Sequence, residues 1–216
     1  PLTPIGQHYT VKARANNTQE LNLLIDTGDS SSISLNPNDW SAAFPVEASS
    51  PVRATVAGLG NHVVRSKIAR LHRLQIQEHT CGSLHATAIQ NPASLSHLGL
   101  GFFRRDRVIF DCPRRRLYLR PGQQFASRET EDMSGLHLLR QNDSVVVHSV
   151  DPGSPAAAQK LNAGDVILSV NGQPAFALAL RTIRQQLQSG HGNRVTLRLR
   201  QGTEFREVDL LLKRMI

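Results

Sequence analysis

The chain has 216 residues, long enough for one large domain or two small ones. Its formal net charge of +8 comes almost wholly from arginine, and aromatic residues make up only 5%, which argues against stacking platforms for single-stranded nucleic acid. No apolar run reaches the ~18 residues of a transmembrane helix, and no charged-then-apolar leader is visible.

In chain order, short β-like runs come first: Tyr9 to Ala15, Leu21 to Asp26, Val52 to Val56, Arg70 to Gln77, His85 to Ile89, Val108 to Asp111 and Leu117 to Arg120. Short strands at regular spacing predict an all-β barrel or sandwich. Leu98 to Arg105 reads as a short helix with Phe102 and Phe103 packing inward. The pattern breaks in the polar stretch 122–133, read as a linker between a first domain over 1–121 and a second over 134–216. Beyond it, Val145-Val146-Val147, Val166 to Val170, Val195 to Arg200 and Glu207 to Leu212 read as strands, and Pro155 to Leu161 and Ala177 to Gln188 as helices.

Two arginine clusters, Arg104-Arg105-Asp106-Arg107 and Arg114-Arg115-Arg116, come with no nucleic-acid signature and read as a solvated face. Cys81 and Cys112 form no redox or metal motif, so no metal and no cofactor is expected; in an exported protein they could pair as a disulfide.

The most informative triplet is Asp26-Thr27-Gly28, which ends the apolar run Leu21 to Ile25 and opens the turn Asp29-Ser30-Ser31-Ser32. Asp is seldom buried unless its carboxylate is satisfied. Thr27 can hydrogen-bond backbone in such a turn, and Gly28 lets the chain pass close behind the carboxylate. Alone, the triplet is compatible with an ordinary Asx-type turn.

The segment Leu23 to Ser30 resembles the active-site strand of retropepsin-like aspartic proteases. Leu98-Gly99-Leu100-Gly101-Phe102-Phe103 is similar to their apolar-Gly block and the short helix after it. Arg107 to Asp111 and Arg116 to Leu119 resemble the closing strands of bacterial members. Gly58-Leu59-Gly60 falls where that family has its flap, a hairpin folding over substrate. The resemblance covers roughly residues 5–121. It implies a retropepsin-like β half-barrel closed by homodimerisation, with Asp26 catalytic and Thr27 and Gly28 bracing it. The triplet occurs once, so a two-fold axis would have to bring two Asp26 carboxylates together. Three positions depart from the family: Asp29 stands where Ala or Ser is usual, Gly101 where many bacterial relatives carry Asp, and His97 replaces an apolar residue. Asp29 would raise the apparent pKa values of the pair if it pointed inward, or would cap backbone amides if it did not.

After residue 133, Asp151-Pro152-Gly153-Ser154-Pro155, Gly164-Asp165 and Asn171-Gly172 are local capping and turn signals. In this order they resemble a PDZ domain, a small α+β module. The resemblance implies a peptide-binding groove whose carboxylate loop is Gly135-Leu136-His137-Leu138, with His137 in place of a glycine. Leu180 would line the opposite wall and favour an apolar ligand side chain. Such domains commonly take a peptide C-terminus as an added strand.

The expected function is therefore an aspartic endopeptidase acting on protein or peptide substrates, with a PDZ domain for recruitment or regulation. Family resemblance further suggests the periplasm or cell envelope of a bacterium. The alternative is a catalytically inactive retropepsin-fold adaptor that binds peptides without cutting them. A serine-protease triad is disfavoured because only His8 precedes Ser30, and no His-Glu-x-x-His zinc motif occurs.

Overall fold

Leu21 and Leu23 alternate with Glu20 and Asn22, so an extended chain through them buries one face and solvates the other. The same period-two pattern runs through residues 11–15 and sets the sheet of the first half of the chain. In a computed structural model, residues 1–16, 20–45, 52–57 and 64–216 are described, with 52–57 and 64–65 described by backbone alone. They divide into two units, Pro1–Glu129 with Ile216, and Thr130–Met215.

The first unit is mostly β. Its elements are β1 (Thr3–Ile5), β2 (His8–Ala15), β3 (Glu20–Asp26), β4 (Ile33–Leu35), α1 (Pro37–Ala43), β5 (Val52–Ala57) and β6 (Val64–Leu71). There follow β7 (Leu74–Ile76), β8 (His79–Cys81), β9 (Leu84–Ala88), β10 (His97–Gly99), α2 (Leu100–Phe103), β11 (Asp106–Asp111) and β12 (Arg116–Pro121). Ten strands make one curled sheet in the order β5-β6-β9-β4-β10-β3-β2-β7-β8, with β1 on β2, while β11 and β12 pair separately. Leu21, Leu23, Ile33, Leu35, Leu98 and Phe102 are fully buried in its core.

Several local expectations shift. The run Arg70 to Gln77 is two strands rather than one, because the Asn16 side chain accepts from the amides of His72 and Arg73 (3.0 and 3.2 Å) and fixes a turn between them. Leu98 and Gly99 belong to β10, and the helix begins only at Leu100, with Phe102 and Phe103 buried as expected. α1 goes unread in the sequence although its signal is there: Asn36 caps it by accepting from Asn38 and Asp39 (both 3.0 Å), and Pro37 opens its first turn. Arg105, expected on a solvated face, is 4% exposed and donates to the carbonyls of Gly82, Phe125 and Ser127.

The stretch 122–133, read as a linker, contributes to both units. Phe125 packs against the first core and the Glu129 carboxylate accepts from Ser32 Oγ and the His85 amide, whereas Met133 is buried in the second core.

Both cysteines are free, so the conditional disulfide is not formed. Cys112 is exposed, whereas burial pushes the Cys81 thiol up to about 12. Native-state alkylation at pH 8 should label Cys112 quickly and Cys81 only after unfolding; equal rates in the native protein would contradict this burial.

In the second unit, β13 (Leu136–Gln141), β14 (Ser144–Val150), α3 (Pro155–Ala158), β15 (Val166–Val170) and β16 (Gln173–Pro174) lead to a 3-10 turn at Ala175–Ala177. Then come α4 (Leu180–Leu187), β17 (Arg194–Gln201) and β18 (Glu204–Leu211). The sheet order is β13-β14-β15-β17-β18, with β16 on β15. Ser154 Oγ accepts from the Ala157 amide (3.2 Å) and caps α3 as read from sequence. α3 is shorter than expected, since Lys160 turns left-handed (φ +58°), and α4 starts late because Ala175–Ala177 take the tighter helix. Among the described residues no helix is long and apolar enough to cross a membrane.

Candidate active site

The chain leaves β3 at Asp26, arches over the end of β10 and returns as β4. β10 lies between the two, parallel to β3 (Gly99 opposite Asp26) and antiparallel to β4 (Leu98 opposite Ile33). Three successive amides at the start of α2 would have no partner inside so short a helix. The arch supplies their acceptors: Gly99 donates to Ser32 O (3.0 Å), Leu100 to Asp29 O (2.7 Å) and Gly101 to Ser31 O (2.9 Å). The approach is close enough to require glycine. A Cβ on Gly99 would stand 2.2 Å from Ser31 O, and one on Gly101 would stand 2.6 Å from Ser32 Oγ and 2.8 Å from Ser32 N. An Asp at 101 would have no room in this chain.

Asp26 lies at the mouth of this arch, half-buried. Its Oδ1 accepts from the amides of Gly28 (2.9 Å) and Asp29 (3.2 Å), which fixes the plane of the carboxylate. No hydrogen bond reaches its Oδ2 among the described residues, leaving that oxygen for a water, a substrate or another carboxyl. Gly28 braces the carboxylate through its N–H. Thr27 is exposed and makes no hydrogen bond among the described residues, so the second brace is the Asp29 amide.

The Asp29 carboxylate turns away from Asp26 into its own cage. It accepts from the Ser31 amide (2.8 Å), Ser31 Oγ (2.5 Å) and Ser34 Oγ (3.1 Å), and pairs with His97 Nε2 at 3.0 Å. Partial burial alone would raise its pKa, but the bonds from His97, Ser31 and Ser34 outweigh that and hold the carboxyl well below the usual carboxylate range. The Asp29 bond pushes the His97 imidazole above its ordinary value against the opposing effect of burial, and the charge on Asp26 adds to the rise. Two positions singled out in the sequence are thus one feature: Asp29 in the arch is paired with His97 on β10. Sequence reading missed His97, Ser31 and Ser34 as parts of the site, because nothing local in the chain joins 29 to 97.

The pair sets a pH window. A raised histidine contributes stability fully below its unfolded pKa of about 6.5 and loses it as pH rises through the folded value. The depressed Asp29 contributes above about 3.9 and loses it as pH falls through its folded value. The melting temperature of the first unit should therefore decline from pH 6 to 9 with a step that His97→Gln removes. An identical pH profile in wild type and variant would contradict the pairing.

Gly58, Leu59 and Gly60, expected as a flap, lie outside the described residues; β5 and β6 pair antiparallel, with Ala57 opposite Val64. In the second unit, Gly135 takes φ +80° where a Cβ would stand 2.2 Å from that of Ser154, which ties the loop to the start of α3. Leu136 and Leu138 are buried on β13, His137 Nε2 lies 2.8 Å from Asp151 Oδ1, and Leu180 at the start of α4 packs partly against the same core. The Leu136 amide donates to Ser134 Oγ (3.1 Å), and Asp132 Oδ1 accepts from the amides of Ser134 and Gly135 (2.9 and 2.7 Å).

Residues 124–200 match the PDZ domain family, so the chain carries a PDZ domain there. No curated protein sequence matches the chain. Solved structures similar to it include a retropepsin-like aspartic protease from Rickettsia conorii, 17% identical over 51% of this chain and 80% of its own, at a TM-score of 0.40. A photosystem II D1 C-terminal processing protease is 28% identical over 39% of this chain at a TM-score of 0.36. The HtrA-type protease AlgW with a decapeptide is 13% identical over 76% of this chain at a TM-score of 0.37. The chain spans 24% of the processing protease and 60% of AlgW.

Proposed function

We propose that the chain is an aspartic endopeptidase that works as a homodimer, with its PDZ domain recruiting or regulating peptide substrate. The observation that carries this reading is the Asp26 carboxylate. It stands at the end of a buried strand with Oδ1 fixed by two amides and Oδ2 left open.

Peptide hydrolysis by carboxyl groups alone needs two of them in different protonation states. The ionised one takes a proton from water as its oxygen attacks the amide carbon, while the protonated one donates to the amide oxygen. Collapse of the tetrahedral intermediate then breaks the C–N bond as a proton passes to the leaving nitrogen. Like charges about 3 Å apart cannot both ionise, so proximity itself splits the two titrations, and the values belong to the pair. Asp26 of the partner subunit would supply the second carboxyl across a two-fold axis.

The turn of Asp29 toward His97 supports catalysis over the adaptor reading, because it keeps the second carboxylate of each subunit out of the space in front of Asp26. The test is cleavage of peptides at acidic and neutral pH by the wild type and by Asp26→Asn. Cleavage only by the wild type is the expected result, and equal turnover by the two would overturn the assignment.

A further inference from the structure

β13 is an edge strand, paired with β14 on one side and facing α4 on the other. Main-chain groups of alternate residues in a strand point to the same side. On the α4 side, the Leu138 carbonyl is already taken: Arg184, from α4, donates Nη2 to it at 2.8 Å. Two residues along β13, Arg140 sends its Nη2 the other way, to the carbonyls of Ala175 and Leu178 ahead of α4. Two guanidiniums therefore bridge the cleft, and both use neutral carbonyls as acceptors; neither forms an ion pair among the described residues. Arg184 is exposed, so the bond to Leu138 leaves most of its five donors for solvent.

A peptide that adds to β13 as a strand needs the Leu138 carbonyl for one of its own amides. Arg184 must release it. A ligand without charge leaves the freed guanidinium to water, whereas a ligand carboxylate offers it a shorter, stronger and bidentate acceptor. The net charge of +8 also favours encounter with acidic chains.

We infer that the β13–α4 groove selects an extended peptide bearing an Asp or Glu side chain where the peptide crosses Leu138. Arg184 is the selecting residue, moving its hydrogen bond from the Leu138 carbonyl to the ligand carboxylate. This rests on the reading of the second unit as a peptide-binding domain and specifies its ligand.

The test is fluorescence anisotropy on the full chain with two labelled decapeptides sharing one apolar C-terminal residue, one with Glu at alternate upstream positions and the other with Gln. Wild type should bind the Glu peptide about tenfold more tightly, as expected for one added charge-assisted bond, with the preference shrinking as salt rises. Arg184→Gln should reduce the preference to about twofold or less, while binding the Gln peptide as well as wild type or better, because the carbonyl is no longer occupied. Arg181→Gln, at an exposed arginine of the same helix, should keep the wild-type preference. Equal binding of both peptides by wild type, a preference that survives in Arg184→Gln, or the same loss in Arg181→Gln would overturn the selectivity and leave the groove reading standing. Failure of wild type to bind either peptide would overturn both.

Discussion

Asp26→Asn is expected to abolish peptide hydrolysis without disturbing the fold. Asparagine is nearly isosteric, and its side-chain oxygen can accept the Gly28 and Asp29 amides as Asp26 Oδ1 does now. What it cannot do is take a proton from water or hand one to a substrate oxygen. General acid–base participation contributes about 10²–10⁴-fold, and in a homodimer one substitution removes both partners at once. A fall of at least about 10³-fold in kcat/KM with little change in melting temperature is the expected signature. If activity and melting temperature fell together in proportion, Asp26 would be a structural residue of the turn and not a catalytic one.

The largest expected loss of stability comes from Gly99→Ala. The new methyl would fall 2.2 Å from Ser31 O and 2.8 Å from Asp29 O, both backbone atoms of the arch that holds Asp26. No side chain can swing aside to relieve the contact, so β10 and the arch must part. Overpacking of this kind costs about 1–3 kcal/mol and sometimes more. For a unit of this size that is a drop of roughly 4–10 °C in melting temperature. Because the amides of 99, 100 and 101 all bond to the arch, the same change should displace Asp26 and remove activity in the folded fraction. Calorimetry with an activity assay on the same sample separates the two effects. A variant as stable and active as wild type would show that the arch is not seated on β10 as described.

Much of this was readable in the sequence where local pattern decides structure. The alternation through Leu21 and Leu23, the apolar run Val166–Val170 and the Ser154–Pro155 helix start each carry their own signal, and each forms as read. β10 is different. It is three residues long and is a strand only because β3 and β4 flank it, so Leu98-Gly99 looked like the start of a helix. The site divides in the same way. Asp26 and Gly28 lie two residues apart in one triplet and were found together. The Asp29–His97 pair and the Arg184–Leu138 bond depend on register between distant elements, which no window on the chain displays. Arg105 and Glu129 were read as surface or linker by their charge, although each is drawn into the first unit by acceptors or donors far away in sequence.

Whether two chains share one site is read out by a subunit-mixing titration. Wild type and Asp26→Asn chains are mixed at fixed total concentration, allowed to exchange, and assayed for peptide cleavage as the wild-type fraction is lowered. If each site needs an Asp26 carboxyl from both subunits, total activity follows the square of the wild-type fraction. A linear decline, with each wild-type chain keeping its full activity beside a variant partner, would contradict the shared site.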